Sequence, residues 1–218
     1  IIDVFGADHH GYIARLKSSM KSLGYDPEKI GIVIIQMVRL FKDGQEYKMS
    51  KRTGNAVSMK ELCEETSIDA VRYFFVSRAA SSHLDYDIDS AKKMESSNPV
   101  YYAQYAHARL CAILEQGKDI PLDKSGKNLT EEKEKALLKV LAEYPKEIVN
   151  AAINRSPYKI TTFIQKLAVS INEFYTMCRV IDKSNIELSS SRIALCKACQ
   201  IVLKNALEVI GVSAPTRM

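Results

Sequence analysis

Two lysines three residues apart form the segment of this 218-residue chain that is best suited to polyphosphate chemistry. Lys48 and Lys51 flank Met49 and Ser50, shortly after a hairpin signal. Each ammonium group can hold non-bridging phosphate oxygens, and the Ser50 hydroxyl can donate a further hydrogen bond. A bare pair of this kind is more often an exposed basic loop, so that alternative stays open. Its position after an alternating strand–helix region favours phosphate binding.

A second group of polar residues lies where a predicted strand ends and a helix begins, a usual place for ligands in parallel sheets. Gly6 would let a ligand approach the backbone, and Asp8 could accept from ribose hydroxyls. His9 and His10 could donate to the same ligand, but adjacent helical residues point about 100° apart, which disfavours a shared metal. The chain has neither a G-x-G-x-x-G sequence nor a Walker lysine loop, which excludes those nucleotide-binding classes.

A third group lies on one predicted helix. Tyr102, Tyr105 and Arg109 fall on the side opposite its apolar stripe. Such rings can stack on splayed-out bases, and a guanidinium can stack or hold phosphate. Packing of the tyrosines on a neighbouring helix is an equally good interpretation of the spacing alone. The apolar stripe consists of Val100, Ala103, His107, Leu110 and Leu114, and its histidine is predicted to be a hydrogen-bonded core residue.

The elements that would position these residues change character along the chain. Strand, helix and strand are predicted over 1–5, 10–23 and 30–35, the last as a strand buried on both faces, and Asp43-Gly44 predicts a hairpin. Three short helices are predicted within residues 58–95, and they extend to Thr66, Arg78 and Ser97. Their predicted N-caps are Ser58, which forms a capping box with Glu61, and then Asp69 and Asp89. Long helices follow over 99–116, 131–143, 157–182 and 191–210, the third with a clean core stripe.

Composition limits the class of protein. No apolar run approaches the ~20 residues of a membrane helix, and no secretory signal is visible. The five cysteines suggest no disulfide framework, so a reducing compartment is the simpler interpretation. Cys196-x-x-Cys199 has no second pair and no nearby histidine, which disfavours a metal site. The net charge of +5 lies within residues 96–218, a weak indication of a nucleic-acid partner.

Taken together, the motifs resemble arginyl-tRNA synthetases of the bacterial type, a family of class I aminoacyl-tRNA synthetases. The resemblance covers essentially the whole chain. The lysine motif alone is typical of class I synthetases in general, whereas the combination of motifs is typical of the synthetases specific for arginine. The matching segments are Gly6–Tyr12, Gln36–Val38, Lys48–Lys51, Tyr102–Arg109 and Ala206–Met218.

The resemblance implies an α/β plus all-α fold. Residues 1–57 would be the C-terminal part of a Rossmann-like catalytic domain that carries the KMSK loop. Residues 58–95 would be a connecting helical region that contacts the tRNA stem. Residues 96–218 would be an α-helical anticodon-binding domain.

Site residues follow from the same resemblance. Lys48, Ser50 and Lys51 would be catalytic and stabilise the triphosphate in the transition state. The ATP-binding set would be Gly6, Asp8, His9, His10, Met37, Val38, Lys48, Met49 and Lys51. The anticodon-binding set would be Tyr102, Tyr105, Arg109, Tyr175 and Met218.

The implied activity is the ATP-dependent attachment of arginine to tRNA-Arg in the cytoplasm by a monomer, with Mg²⁺ accompanying ATP and no structural metal. The family's other histidine motif and its arginine pocket are absent from the sequence, and the chain does not begin with Met. We therefore expect a C-terminal fragment that is inactive alone. Two alternatives are a non-catalytic tRNA-binding module and a fragment of another class I synthetase, such as that for cysteine.

Overall fold

The computed structural model describes residues 1–47 and 57–218, which fold into two compact units. Unit 1 consists of Ile1–Val57 and Arg78–Asp89, and unit 2 consists of Ser58–Ser77 and Ser90–Met218. The predicted connecting region, residues 58–95, contributes to both units.

Unit 1 begins with two parallel strands joined by a helix. β1 (Ile2–Gly6) pairs with β2 (Gly31–Ile35), and α1 (Tyr12–Ser22) lies between them in the chain after a short 3-10 turn. The predicted strand–helix–strand order and parallel pairing are confirmed. The prediction that the second strand is buried on both faces is wrong. Within the described part of the chain β2 pairs with β1 alone, so its side chains stay partly exposed.

A second sheet in unit 1 has the strand order β4-β3-β5. The predicted hairpin joins β3 (Val38–Lys42) to β4 (Gln45–Glu46), with Asp43 and Gly44 at φ 52° and 72°. Positive φ at both turn residues is typical of the tight hairpin turn that matches strand twist. The third strand, β5 (Leu84–Asp87), is parallel to β3 and was not predicted from the sequence.

Short helices open unit 2, and their caps differ in part from the prediction. α2 (Met59–Glu65) has the predicted capping box of Ser58 and Glu61. The predicted cap at Asp69 is wrong, because Ser67 accepts from the Ala70 amide at the start of α3 (Ile68–Val76). The helix predicted to extend to Ser97 is the short α4 (Ile88–Lys92), which bridges the two units in the chain.

Four long helices form the rest of unit 2: α5 (Pro99–Gln116), α6 (Glu132–Ile153), α7 (Tyr158–Met177) and α8 (Ile186–Val209). α6 continues ten residues beyond its predicted end at Glu143 and contains Pro145. The core stripe predicted for α7 is buried from Ile160 to Cys178, and only Ile181, beyond the helix, is partly exposed. These helices position aromatic and basic side chains at the surface of unit 2.

Candidate nucleic-acid interface

Arg109 on α5 lies against two tyrosine rings at the surface of unit 2. Its guanidinium carbon is 4.7 Å from the ring centroid of Tyr105, one turn earlier on α5. It is also 4.7 Å from the ring centroid of Tyr175 on α7. Tyr105 and Tyr175 are 37% and 43% exposed, so the edge of this group is open to solvent. We name Tyr105, Arg109 and Tyr175 the aromatic cluster.

Two hydrogen bonds fix the plane of the guanidinium. One terminal nitrogen of Arg109 donates to Oδ1 of Asn172 at 3.0 Å, and the other donates to the Tyr105 hydroxyl at 3.0 Å. Arginine carries five N–H groups in a rigid fork, and these two contacts use two of them. The cluster can therefore hold its shape while the remaining donors of Arg109 face a ligand.

A further ring extends the cluster along α5. Tyr101 stacks on Tyr105 with 6.0 Å between ring centroids and 11° between ring planes. The sequence prediction missed both Tyr101 and Asn172. The i, i+4 spacing of Tyr101 and Tyr105 is a signal that could have identified the first. Asn172 lies three residues before Tyr175, but nothing in the sequence pairs it with Arg109.

The structure places the other predicted anticodon residues outside this contact group. Tyr102 is half-buried on α5, and Met218, which follows Arg217, is 55% exposed. The alternative in which Tyr102 and Tyr105 pack on a neighbouring helix stays open, because the contacts to α7 come from Arg109, which bonds to Asn172 and lies against Tyr175. Both rings of the aromatic cluster nevertheless remain accessible.

The residues after α8, which we name the C-terminal segment (Gly211–Met218), are held against α3 and α5. The Gln104 amide nitrogen donates to Oδ2 of Asp69 at 2.8 Å and to the Ser213 carbonyl at 3.1 Å. The Ser213 amide donates to Oδ1 of Asp69 at 3.0 Å, and its hydroxyl donates to Oδ2. Asp69, predicted as a helix cap, is instead the acceptor that anchors this segment.

His107 provides a second attachment for the C-terminal segment. Its Nδ1 lies 2.9 Å from the Pro215 carbonyl, and because a carbonyl can only accept, Nδ1 carries the hydrogen. Its Nε2 is 3.3 Å from the amide nitrogen of Gln200 on α8. Burial lowers the pKa of His107, which is 1% exposed. The prediction of a hydrogen-bonded core histidine is confirmed.

In unit 1, the predicted nucleotide residues gather at the carboxyl end of β1. Gly6 ends the strand opposite Ile35, and a Cβ added there would lie 2.6 Å from Oδ1 of Asp8. The ring of His9 lies between those of Phe5 and Tyr12, with centroids 6.1 and 5.6 Å away. Its Nε2 is 3.6 Å from Oδ2 of Asp8, and His10 follows at the end of the 3-10 turn. Gly6 therefore has no room for a side chain while Asp8 keeps this position.

The remaining predicted nucleotide residues lie at the start of β3 or outside the described residues. Met37 is 66% exposed, and Val38 is the first residue of β3, opposite Leu84 in β5. The part of the chain that the structure describes does not include Lys48, Met49, Ser50 and Lys51.

Residues 1–47 and 57–218 were compared with the requirements of a metal site and of a membrane-spanning helix. In these ranges no group of three or more His, Cys, Asp or Glu side chains could hold a metal ion. Cys196 and Cys199 are buried in α8, and burial raises the pKa of Cys196 to about 12 and that of Cys199 well above its usual value. Over the same ranges no helix has both the length and the apolar character needed to cross a bilayer.

Comparison with known proteins gives two family matches. The family model for the DALR anticodon binding domain matches residues 103–218, more than half of the chain. The model for class I (M) tRNA synthetases matches residues 34–107. The aromatic cluster, Gln104 and the C-terminal segment all lie within the first match.

Individual relatives agree with these matches. The chain is 49% identical to the arginine–tRNA ligase of Bacillus subtilis (strain 168) and 48% identical to that of Shouchella clausii, over 222 aligned residues in each case. Both alignments cover 100% of this chain but 40% of the relative, so the chain spans about two fifths of their length. The solved arginyl-tRNA synthetase of Thermus thermophilus is similar with a TM-score of 0.82 at 22% identity, covering 100% of this chain and 41% of that one. The predicted fold class and family resemblance are confirmed.

Proposed function

The chain belongs to the family of the DALR anticodon binding domain, and on that premise we propose that it is part of an arginine–tRNA ligase. The whole enzyme would use ATP to join arginine to tRNA-Arg, as a monomer in the cytoplasm. Support comes from the arginine–tRNA ligases that the chain matches over its full length. Unit 2 would read the anticodon, and unit 1 would contribute to the ATP site.

The observation that carries the anticodon proposal is the position of Arg109 against Tyr105 and Tyr175. Exposed tyrosine rings are platforms on which unpaired bases stack, and anticodon bases are unpaired. A guanidinium with donors to spare can bond to a base edge or a phosphate next to the stack. Tyr101 would lengthen the platform, and Tyr102 and Met218 would complete the predicted anticodon set.

Charge favours the same partner. The whole net charge of +5 lies within residues 96–218, which contain the four long helices. A basic surface attracts the phosphate backbone and gives binding that weakens as salt is added. Electrostatics alone would not distinguish one tRNA from another, so specificity is assigned to the aromatic cluster.

In unit 1 we propose that ATP lies at the carboxyl end of β1 and the start of β3. Gly6 and Asp8 would line the adenosine site, with His9 and His10 near the ribose or adenylate. Met37 and Val38 would contact adenine from the strand edge. Lys48, Met49, Ser50 and Lys51 would hold the triphosphate, and Mg²⁺ would arrive with the ATP phosphates.

The 218-residue chain by itself is proposed to be inactive. The ligases that it matches are about two and a half times as long, so the chain would supply only part of the enzyme. Purified residues 1–218 would therefore show no arginine-dependent exchange between ATP and pyrophosphate. Exchange by this fragment would contradict the proposal.

The decisive experiment titrates the full-length protein with a tRNA-Arg transcript and with a transcript changed at the central anticodon base, at two salt concentrations. Tighter binding of the unchanged transcript that persists at higher salt supports anticodon reading. Tyr105→Ala should weaken binding by about 1–3 kcal/mol, the usual value of one stacked base. Tyr25→Ala, at a 64% exposed tyrosine of unit 1, serves as the matched control. Equal binding of both transcripts would reject the assignment.

A further inference from the structure

One stretch of the chain, Arg78–Asp89, returns to unit 1 after α2 and α3, and we name it the return segment. It contains β5, which lies parallel to β3 with Val38 opposite Leu84 and Arg39 opposite Asp85. None of its residues belongs to the nucleotide set proposed above. Its contacts nevertheless concentrate on the part of β3 that is proposed to meet ATP.

The backbone of the return segment bonds to the residues just before β3. The Gln36 amide donates to the Ala80 carbonyl at 2.9 Å, and the Leu84 amide donates to the Met37 carbonyl at 3.3 Å. The return segment therefore already holds the chain at Gln36 and Met37, before the strand begins.

The side chains of Arg39 and Asp85 hold the same part of β3. Arg39 donates from Nε to Oδ1 of Asp85 at 2.7 Å and from a terminal nitrogen to Oδ2 at 2.8 Å. Two parallel bonds fix the orientation of the two groups as well as the distance between them. The guanidinium carbon also lies 5.5 Å from the ring centroid of Phe41, two residues further along β3. The pair thus fixes the register of β3 against β5 one residue after Val38.

The backbone of Val38 faces the other edge of β3. Neighbouring residues of a strand direct their N–H and C=O groups to opposite edges. Met37 bonds to β5, whereas the Leu40 carbonyl accepts from the Tyr47 amide on the β4 side, so Val38 also faces the β4 side. Within residues 1–47 and 57–218, no strand lies beside Val38 there, because β4 pairs with β3 only at Phe41 and Lys42. An open N–H and C=O suit the donor and acceptor edge of an adenine ring.

We propose that Arg39 and Asp85 are positioning residues for the ATP site. Their ion pair sets the register of β3 on the return segment and so places the open Val38 backbone where adenine binds. The inference rests on the proposed function, since it adds two residues to the ATP site of unit 1. Neither side chain would contact ATP. Loss of the pair should therefore weaken the binding of ATP and leave that of arginine and tRNA-Arg unchanged.

The test measures aminoacylation of tRNA-Arg by the full-length protein and determines KM for ATP, arginine and tRNA-Arg separately. Asp85→Asn and Arg39→Gln each remove the ion pair. We expect each to raise KM for ATP about fivefold, the upper end of the range for an exposed ion pair. The other two KM values and kcat should not change, because only binding of ATP is affected. The double variant should show the same fivefold increase, since one pair can be lost only once.

Lys17→Gln is the matched control. It breaks another exposed ion pair of unit 1, to Glu28 at 2.9 Å, which joins α1 to the turn before β2. It should leave all three KM values unchanged. An unchanged KM for ATP in the Arg39 and Asp85 variants would overturn the proposal. So would increases that multiply in the double variant, or an equal rise in KM for all three substrates.

A second substitution covers the case in which Arg39→Gln disturbs folding. Arg39→Lys then replaces it, because lysine keeps the charge but cannot bond both carboxylate oxygens in one plane. It should raise KM for ATP alone, and equal increases for all substrates would again reject the proposal. Failure of the proposed function is a different outcome, since the unsubstituted protein would then not aminoacylate tRNA-Arg at all.

Discussion

Arg192 on α8 donates from Nε to Oε1 of Glu134 on α6 at 2.6 Å, and both side chains are buried. Each side chain makes a second hydrogen bond: a terminal nitrogen of Arg192 donates to the Arg179 carbonyl at 2.8 Å, and Glu134 accepts from the Glu131 amide at 2.8 Å. Burial of these two charges is energetically acceptable only while both partners remain, because either one alone would be an unpaired buried charge.

Removing one partner of this pair should therefore be costly. We expect Glu134→Ala to lower the free energy of unfolding by about 3–5 kcal/mol, because Arg192 is left charged and buried. Urea denaturation of the chain measures the change. Glu143→Ala, which breaks the exposed pair with Lys166 at 2.6 Å, is the control and should cost about 1 kcal/mol or less. Similar losses for the two variants would contradict this account.

Arg109→Lys tests the geometry of the aromatic cluster without changing its charge. A lysine cannot donate to Asn172 and Tyr105 while lying flat against two rings. Affinity for tRNA-Arg should fall about tenfold, corresponding to ~1.4 kcal/mol within the range for one stacked base. The slope of affinity against salt should not change, because the number of cations is the same. Titrations over a salt series provide both quantities.

Arg179→Lys is the comparison for that series, since Arg179 is exposed and outside the cluster. It should bind tRNA-Arg as the unsubstituted protein does. An equal loss for both lysine variants would show that arginine chemistry in general, rather than this cluster, determines affinity.

Gly211 is predicted to be intolerant of a side chain. Its φ is +71°, and an added Cβ would lie 2.2 Å from the Arg72 Nε. Gly211→Ala should lower the free energy of unfolding by more than the ~1–2 kcal/mol of left-handed backbone strain alone. It should also speed tryptic cleavage after Arg217, because displacement of Arg72 weakens its bond to the Ile210 carbonyl.

Gly126→Ala is the control that separates backbone strain from the steric clash with Arg72. Gly126 has φ +69° and nothing within 4 Å of an added Cβ. Gly126→Ala should lower the free energy of unfolding only by the cost of the left-handed backbone and should leave tryptic cleavage after Arg217 unchanged. If the two alanine variants behave alike, Arg72 does not constrain the C-terminal segment.

His107 should make stability depend on pH. Burial is the main cause of its lowered pKa, with Lys204 and Lys197 acting in the same direction and the Pro215 carbonyl and Glu208 opposing them. The unfolded chain, with an ordinary histidine pKa of about 6.5, then binds the proton more readily than the folded one. The contribution of His107 to the free energy of unfolding is therefore complete above about pH 6.5. It is lost as the pH falls through the pKa that His107 has in the folded protein.

His107→Asn provides the comparison, because an amide N–H can still donate to the Pro215 carbonyl but does not titrate. The difference in unfolding free energy between the two proteins should shrink as the pH falls from about 7.5 to about 5.5, the range in which an ordinary histidine titrates. Parallel pH curves would rule out His107 as the source.

Local signals predicted much of the fold. The hairpin at Asp43 and Gly44, the capping box at Ser58 and the core stripe of α7 depend on residues close in the chain, and the structure agrees. β5 was missed because its four residues form a strand only through pairing with β3, where Arg39 holds Asp85 through two bonds of 2.7 and 2.8 Å. A strand partner that lies 46 residues away along the chain leaves no pattern in the sequence of β5 itself.

α6 was predicted too short for a similar reason. The predicted end at Glu143 falls two residues before Pro145, and proline normally interrupts a helix. Packing against α7 offsets that cost: the rings of Tyr144 and Phe163 are 5.4 Å apart, and Glu143 pairs with Lys166. Periodicity likewise identified the face with Tyr105 and Arg109, but not Asn172 or the anchoring of Ser213 by Asp69, because those contacts join distant positions.

The order in which the chain is made has a consequence for unit 1. A ribosome releases β3 and β4 first, then residues 58–77 of unit 2, and only afterwards β5. The sheet β4-β3-β5 therefore cannot close while it is the most recently synthesised part of the protein. Its central strand β3 keeps an open edge until β5 has emerged, after α2 and α3, and over that interval the edge is exposed to mispairing with another nascent chain.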